Sequence, residues 1–242
     1  MIFTGTIQRV VSTLEVAERI TARSFAEGRI ETEPTFTDRF FGAVEMAFGD
    51  GVRVRDFRFR VRTLRDRGPN APEHDFGADL CCVLDIDIRN YKLSKGFLAQ
   101  AKTAGKEGVE LIKEEIDSSR VRVTRRTLDF PKVQVRLSSS DPNNPPRLLT
   151  QCKQMLEVTP DSYVFVYSPE GILIVPASTV AHMSLDRRPQ PVYSKPLGLF
   201  FKDFMMSFTG DLRLNAYDDE SLRELRERTR AKYAMLLEMR QQ

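Results

Sequence analysis

Two apolar segments constrain the fold most tightly: GADLCCVLDIDI (residues 77–88) and KGFLAQAK (95–102), one on each side of Asn90. Both alternate with a period of two, as strands do. In the first, Ala78, Leu80, Cys82, Leu84, Ile86 and Ile88 share one face, while Asp79, Cys81, Val83, Asp85 and Asp87 share the other. A turn centred on Asn90 joins them as an antiparallel hairpin. Asp79 lies eleven residues before that centre, and Gln100 and Lys102 lie ten and twelve after it. This register sets Asp79 opposite the polar pair. A buried ammonium costs several kcal/mol, roughly, unless an opposite charge compensates it. Asp79 is the partner the hairpin predicts for Lys102.

The chain has 242 residues, 41% hydrophobic and 29% charged, enough for one large domain or two small ones with an ample core. No apolar run approaches the roughly 20 residues of a membrane span, and no secretory apolar region opens the chain. Cys81 and Cys82 are adjacent and Cys152 stands alone, so neither a disulfide framework nor a zinc pattern is present. The expected location is the cytoplasm, without a membrane partner. His74 and His182 are too few for a multi-histidine metal site. There is no G-x-x-x-x-G-K-[ST] frame and no G-x-S-x-G, which argues against a nucleotide-driven motor and against serine acyl transfer.

Residues 4–25 predict an amphipathic helix with Ile7, Val10, Val11, Leu14 and Ile20 near helical spacing. A second helix opens at ETEPTFTDRFFG, with Pro34 in its first turn and Glu33 at or just before its start; Gly49 and Gly51 end it. GVRVRDFRFRVRTL is a basic strand with a register change, or bulge, near Asp56. VELIKEEID (109–117) reads as a short helix and RVRVTRRTLDFPKVQVRL (120–137) as a basic hairpin. PRLLTQCKQMLEV is a helix, SYVFVYS and GILIVPAS are strands, and GLFFKDFMMSF is helical. SLRELRERTRAKYAMLLEMRQQ reads as one terminal helix capped by Ser221. Its stripe of Leu222, Leu225, Leu236 and Met239 could dock a partner or a second copy, or pack on its own core.

The net charge of +3 is unevenly distributed. Residues 51–70 carry seven arginines against Asp56 and Asp66, a local +5; residues 118–136 carry five arginines and Lys132 against Asp129, again +5. The remainder is −7. Such segregation suits a polyanion-facing surface, although a solvated basic strand explains either run alone. The candidate nucleic-acid contacts are Arg53, Arg55, Arg58, Arg60 and Arg62 in the first segment and Arg120, Arg122, Arg125 and Arg126 in the second.

The order helix, strand, Asp-bearing hairpin with Gln-x-Lys, helix, strand resembles the PD-(D/E)XK nuclease superfamily. More narrowly, it resembles the branch whose third motif is Gln-x-Lys, seen in Mrr-type restriction and related defence endonucleases. Asp79 in GADL and Gln100 and Lys102 in LAQAK carry the resemblance, and it covers residues 30–178. Glu33 matches the acidic residue that many members carry on the first core helix. Gln151 stands where several branches place a polar residue after the lysine strand. The resemblance implies an α/β fold: a restriction-endonuclease-like mixed sheet flanked by helices, here with an appended helical C-terminal region. The expected domains are an N-terminal helix (1–29), a nuclease core (30–180) with a basic insertion (103–146), and a C-terminal helical region (181–242).

The chemistry can be stated without the family. Phosphodiester hydrolysis uses a cation to neutralise the phosphate and to acidify the attacking water. Mg²⁺ or Mn²⁺ takes oxygen ligands and only one or two protein carboxylates. Asp79 and Glu33 are the candidate carboxylate ligands, Gln100 offers a carbonyl oxygen, and Lys102 can hold the water or stabilise developing charge. Each residue also has a plainer explanation. Asp79–Lys102 would serve as a structural ion pair, Glu33 as a helix-dipole partner, and Gln151 as a solvated helix residue. The expected function is metal-dependent endonucleolytic cleavage of DNA, in restriction or antiviral defence by resemblance, with a homo-oligomer or a regulatory or motor protein as partner. The alternatives are a catalytically inert nuclease-fold scaffold that binds nucleic acid, and a nuclease acting on RNA or branched DNA.

Overall fold

A computed structural model describes residues 3–65, 78–105, 109–111, 131–137, 145–184 and 188–242. Two helices lead: α1 (Phe3–Ala26) and α2 (Glu33–Phe48). Then come β1 (Val52–Val54), β2 (Phe57–Arg65), β3 (Leu80–Ile88), β4 (Tyr91–Thr103), β5 (Val109–Leu111) and β6 (Lys132–Val135). Next are α3 (Arg147–Val158), β7 (Ser162–Ser168), β8 (Gly171–Pro176), α4 (Ala177–Ala181), β9 (Gln190–Tyr193) and β10 (Lys195–Pro196). The chain ends with α5 (Leu197–Met205), α6 (Asp219–Thr229) and β11 (Tyr233–Gln241).

A mixed sheet in the order β1-β2-β11-β3-β4-β7-β8-β10 is sandwiched between helices, and a separate small sheet, β5-β6-β9, contributes Val133, Val135 and Val192 to one of its cores. Alternation in β3 explains the layering. Leu80, Cys82, Leu84 and Ile86 join the core beneath α1, α2 and α5, and Cys81 and Val83 join the core beneath α3, α4 and α6. On α1, Ile7, Val10, Val11 and Leu14 are buried as expected, but Ile20 faces outward. The first core gains rigidity from aromatic edges: Phe97 meets Phe200 and Phe204 at centroid separations of 5.0 and 4.9 Å. Gly96 is required where residues 211–214 cross β4. A Cβ there would lie 2.7 Å from the Leu214 carbonyl oxygen and 2.8 Å from that of Cys82.

The β3–β4 hairpin turns at Arg89-Asn90, with Asn90 at φ 66°. Its pairing runs from Leu80 opposite Ala99 to Ile88 opposite Tyr91. This differs by one residue from the register counted about Asn90: the turn centre lies between Arg89 and Asn90, so the ladder continues to Asp79 opposite Gln100 rather than midway between Gln100 and Lys102. The discontinuity near Asp56 is a hairpin rather than a bulge: Val54 pairs with Phe57 around Arg55-Asp56, and Arg55 takes φ 55°. Val109–Leu111, expected to be helical, is a strand paired with β6.

The largest departure lies at the C-terminus. The expected terminal helix stops at Thr229, where Arg230 adopts a left-handed conformation (φ 54°), and the chain then extends into β11. That strand runs through the middle of the sheet, antiparallel to β2 and parallel to β3. A strand buried on both faces carries a continuous apolar run, which periodicity cannot separate from a buried helix. Ala234, Met235, Leu236 and Leu237 are also good helix formers, so tertiary context overrides propensity here. Leu236 and Met239 accordingly serve opposite cores instead of sharing a helical stripe. The helix cap is Asp218, and Ser221 is its partner in a capping box. Residues 181–242 are therefore not an appended helical region: alongside α5 and α6 they supply β10 and β11 to the main sheet and β9 to the small one.

Candidate active site

Glu33, Asp79, Gln100, Lys102 and Gln151 line one small cleft of about 60 Å³, together with Pro34, Thr37, Ala101, Arg147, Lys232 and Tyr233. Four elements deliver them. Thr32 caps α2, its hydroxyl accepting from the Thr35 N–H, and this fixes Glu33 in the first turn. Tyr167 on β7 anchors that turn from below: its hydroxyl lies 3.0 Å from Thr37 Oγ1 and its ring stacks on Phe36 at 4.1 Å. Burial pushes the Tyr167 hydroxyl pKa well up, so it stays a neutral anchor. Asp79 immediately precedes β3, and its N–H donates to the Ala99 carbonyl at 2.9 Å. Gln100 and Lys102 occupy the cleft-facing positions of β4. Arg147 and Gln151 stand one turn apart on α3.

The polar contacts are specific. Gln100 Nε2 donates to Asp79 Oδ2, and the Ala101 N–H donates to the same oxygen at 3.0 Å. The Thr103 N–H donates to Glu33 Oε1 at 3.0 Å. Lys102, only 2% exposed, lies with Nζ 3.9 Å from Glu33 Oε2. The expected pairing is thus corrected: Gln100 meets Asp79 as the register required, but the ion-pair carboxylate at Lys102 is Glu33. Asp79 pairs instead through Oδ1 with Lys232, at 3.1 Å. Lys232 and Arg147 were missed because neither lies in the hairpin or in a basic run; each stands at an element boundary that periodicity does not mark.

Two carbonyl oxygens, Gln100 Oε1 and Gln151 Oε1, are buried and accept no hydrogen bond. An unsatisfied buried acceptor costs about 1–3 kcal/mol, so both suit a donor or a cation. Among the described residues no cluster of three or more histidine, cysteine or acidic side chains has metal-holding geometry. The available donors are two carboxylates and an amide oxygen, a hard set that fits Mg²⁺ or Mn²⁺ retaining several waters. Three cationic side chains face two carboxylates across the cleft. Two helix starts, those of α2 and α3, add partial positive charge. Thiol chemistry has no support here: burial pushes the Cys152 and Cys81 thiols up to about 12.

The described arginines of the first basic segment do not line this cleft. Arg65 pairs with Tyr233 at the cleft end of β2, whereas Phe57 pairs with Gln241, so Arg53, Arg55 and Arg58 sit at the opposite end of the sheet. Eight residues of strand separate those ends, roughly 25 Å. Arg62 is engaged with Glu238 at 2.8 Å and Asp219 at 3.2 Å, and Arg240 bonds both Glu238 and Asp85 in the same partly exposed network. Arg53, Arg55 and Arg60 are exposed. Arg120, Arg122, Arg125 and Arg126 lie outside the described residues, as does most of the 103–146 insertion. No described helix is long and apolar enough to cross a membrane. Comparison with protein-family models, with curated proteins and with solved structures finds no match to this chain.

Proposed function

We propose that this chain is a metal-dependent phosphodiesterase that cleaves DNA, built on a PD-(D/E)XK-type arrangement in its Gln-x-Lys form. One observation carries the reading: Glu33, Asp79, Gln100, Lys102 and Gln151, contributed by separate elements, line a single polar cleft containing a buried lysine. Two buried amide oxygens in the same cleft, Gln100 Oε1 and Gln151 Oε1, accept no hydrogen bond from the protein and suit a donor or a cation.

Asp79, Glu33 and Gln100 Oε1 would hold the cation, whose chemistry is charge neutralisation at the phosphate and a more acidic water. The chain itself supplies the positioning. Hydrogen bonds from Gln100 Nε2 and the Ala101 N–H hold one Asp79 oxygen, and the Thr103 N–H holds one Glu33 oxygen, so both carboxylates are oriented in advance. Lys102 sits at the buried base, where reduced solvent screening strengthens its attraction for a phosphate oxygen carrying developing charge. Arg147 and Lys232 at the mouth suit a polyanionic backbone.

Supercoiled plasmid incubated with Mg²⁺ tests the reading. Wild type should nick or linearise it, chelator should stop the reaction, and Lys102→Ala and Asp79→Asn should both be inactive. A wild type that binds the plasmid and leaves it intact in Mg²⁺ and in Mn²⁺ would favour the inert scaffold. Parallel single-strand, branched-DNA and RNA substrates assign the substrate class. Involvement in restriction or antiviral defence, and any oligomer or motor partner, belong to the same proposal through the resemblance alone.

A further inference from the structure

Lys232 lies on a segment outside the Gln-x-Lys hairpin and reaches the cleft only because β11 is inserted beside β3. Its contact is selective. Asp79 Oδ2 already accepts from Gln100 Nε2 and the Ala101 N–H, which leaves Oδ1 as the oxygen open to a metal. Lys232 Nζ sits 3.1 Å from that Oδ1. A divalent cation and this ammonium therefore compete for the same lone pairs, and their like charges repel at short range. The Lys232 side chain is 43% exposed, so it can swing without disturbing the core. The cleft it lines also holds Arg147, a second cation suited to a phosphate backbone.

Resting on the nuclease reading, we propose that Lys232 is a positioning residue that exchanges Asp79 for the substrate phosphate when the cation binds. Metal entry frees the ammonium, and the freed ammonium adds a phosphate contact, so cation and DNA bind cooperatively. Reciprocity follows from linkage: each must tighten the other by the same factor.

Mn²⁺ alone, titrated into the protein and followed by electron paramagnetic resonance, provides the first measurement. Removing a like charge from a partly exposed site should let Lys232→Met bind Mn²⁺ about tenfold more tightly than wild type. The second measurement is the affinity for a 30-base-pair duplex in Ca²⁺ at several salt concentrations. Lys232→Met should lower the log–log salt slope by about one, the loss of one phosphate contact. In that variant, duplex should no longer enhance cation affinity through this residue. Lys232→Arg should restore the salt slope and the weaker Mn²⁺ binding, an outcome that a fold defect would not produce. Unchanged or weaker Mn²⁺ binding in Lys232→Met, with Asp79→Asn abolishing it, would overturn the exchange while leaving the nuclease reading intact. Mn²⁺ binding absent from wild type and Asp79→Asn alike would remove both.

Discussion

Lys102→Met separates a catalytic lysine from a structural one. The ammonium is buried beside Glu33 at 3.9 Å, a separation at which Coulomb attraction is about 4 kcal/mol at an effective dielectric constant of 20. Desolvating an ammonium costs several kcal/mol, roughly, so the two contributions nearly offset. Methionine keeps the apolar stem, and Glu33 retains its bond from the Thr103 N–H and its place at a helix start. Stability should therefore change by no more than about 1 kcal/mol, a shift of only about 2–4 °C in melting temperature for a chain of this size. Activity should fall by about 10²–10³-fold or more, the usual cost of losing one positioned group at developing charge. Initial plasmid-nicking rates in Mg²⁺, measured beside urea unfolding, give both quantities. A stability loss of about 3–5 kcal/mol, with nicking reduced only in proportion to the folded fraction, would identify a structural ion pair and refute the reasoning.

Leu236→Ala, in the central strand β11 and fully buried, should destabilise by about 2–5 kcal/mol in denaturant; a near-neutral result would return this segment to an exposed helix. Gly96→Ala forces a methyl against two carbonyl oxygens and should cost about 1–3 kcal/mol, read as an earlier urea midpoint at an unchanged slope. Glu18 accepts from the Ile172 N–H at 2.6 Å, yet burial raises its pKa from 4.5 to about 7. The folded chain thus holds this proton more tightly than the unfolded one, and the stability it confers is complete below about 4.5 and lost as pH rises to about 7. Glu18→Gln should flatten that part of the stability–pH curve, and an unchanged slope across the window would exclude Glu18 as its source.

The hairpin was legible because two constraints coincide in it: alternation fixes the faces, and arm length about Asn90 fixes the register to within one residue, close enough to bring Asp79 to Gln100. Glu33 was legible because Pro34 marks a first helical turn and so places Glu33 at the helix start. The true partner of Lys102 was not, since the contact between α2 and β4 spans 69 residues and depends on tertiary packing. Nor was β11, because Arg230 ends α6 in a left-handed conformation without the glycine that normally signals it. Missing that strand also concealed Lys232 and Tyr233. The arginine run announced positive charge correctly, but pairing with β11 decides which end of the sheet it occupies, and that end is remote from the cleft.

The most direct measurement is a crystal soaked in Mn²⁺ with data collected at the manganese absorption edge. Metal-dependent cleavage at this cleft predicts an anomalous peak bonded to Asp79, with Glu33 and Gln100 Oε1 as its other protein ligands. A fully ordered cleft without a peak at saturating Mn²⁺, with Lys232 still seated on Asp79, would contradict it.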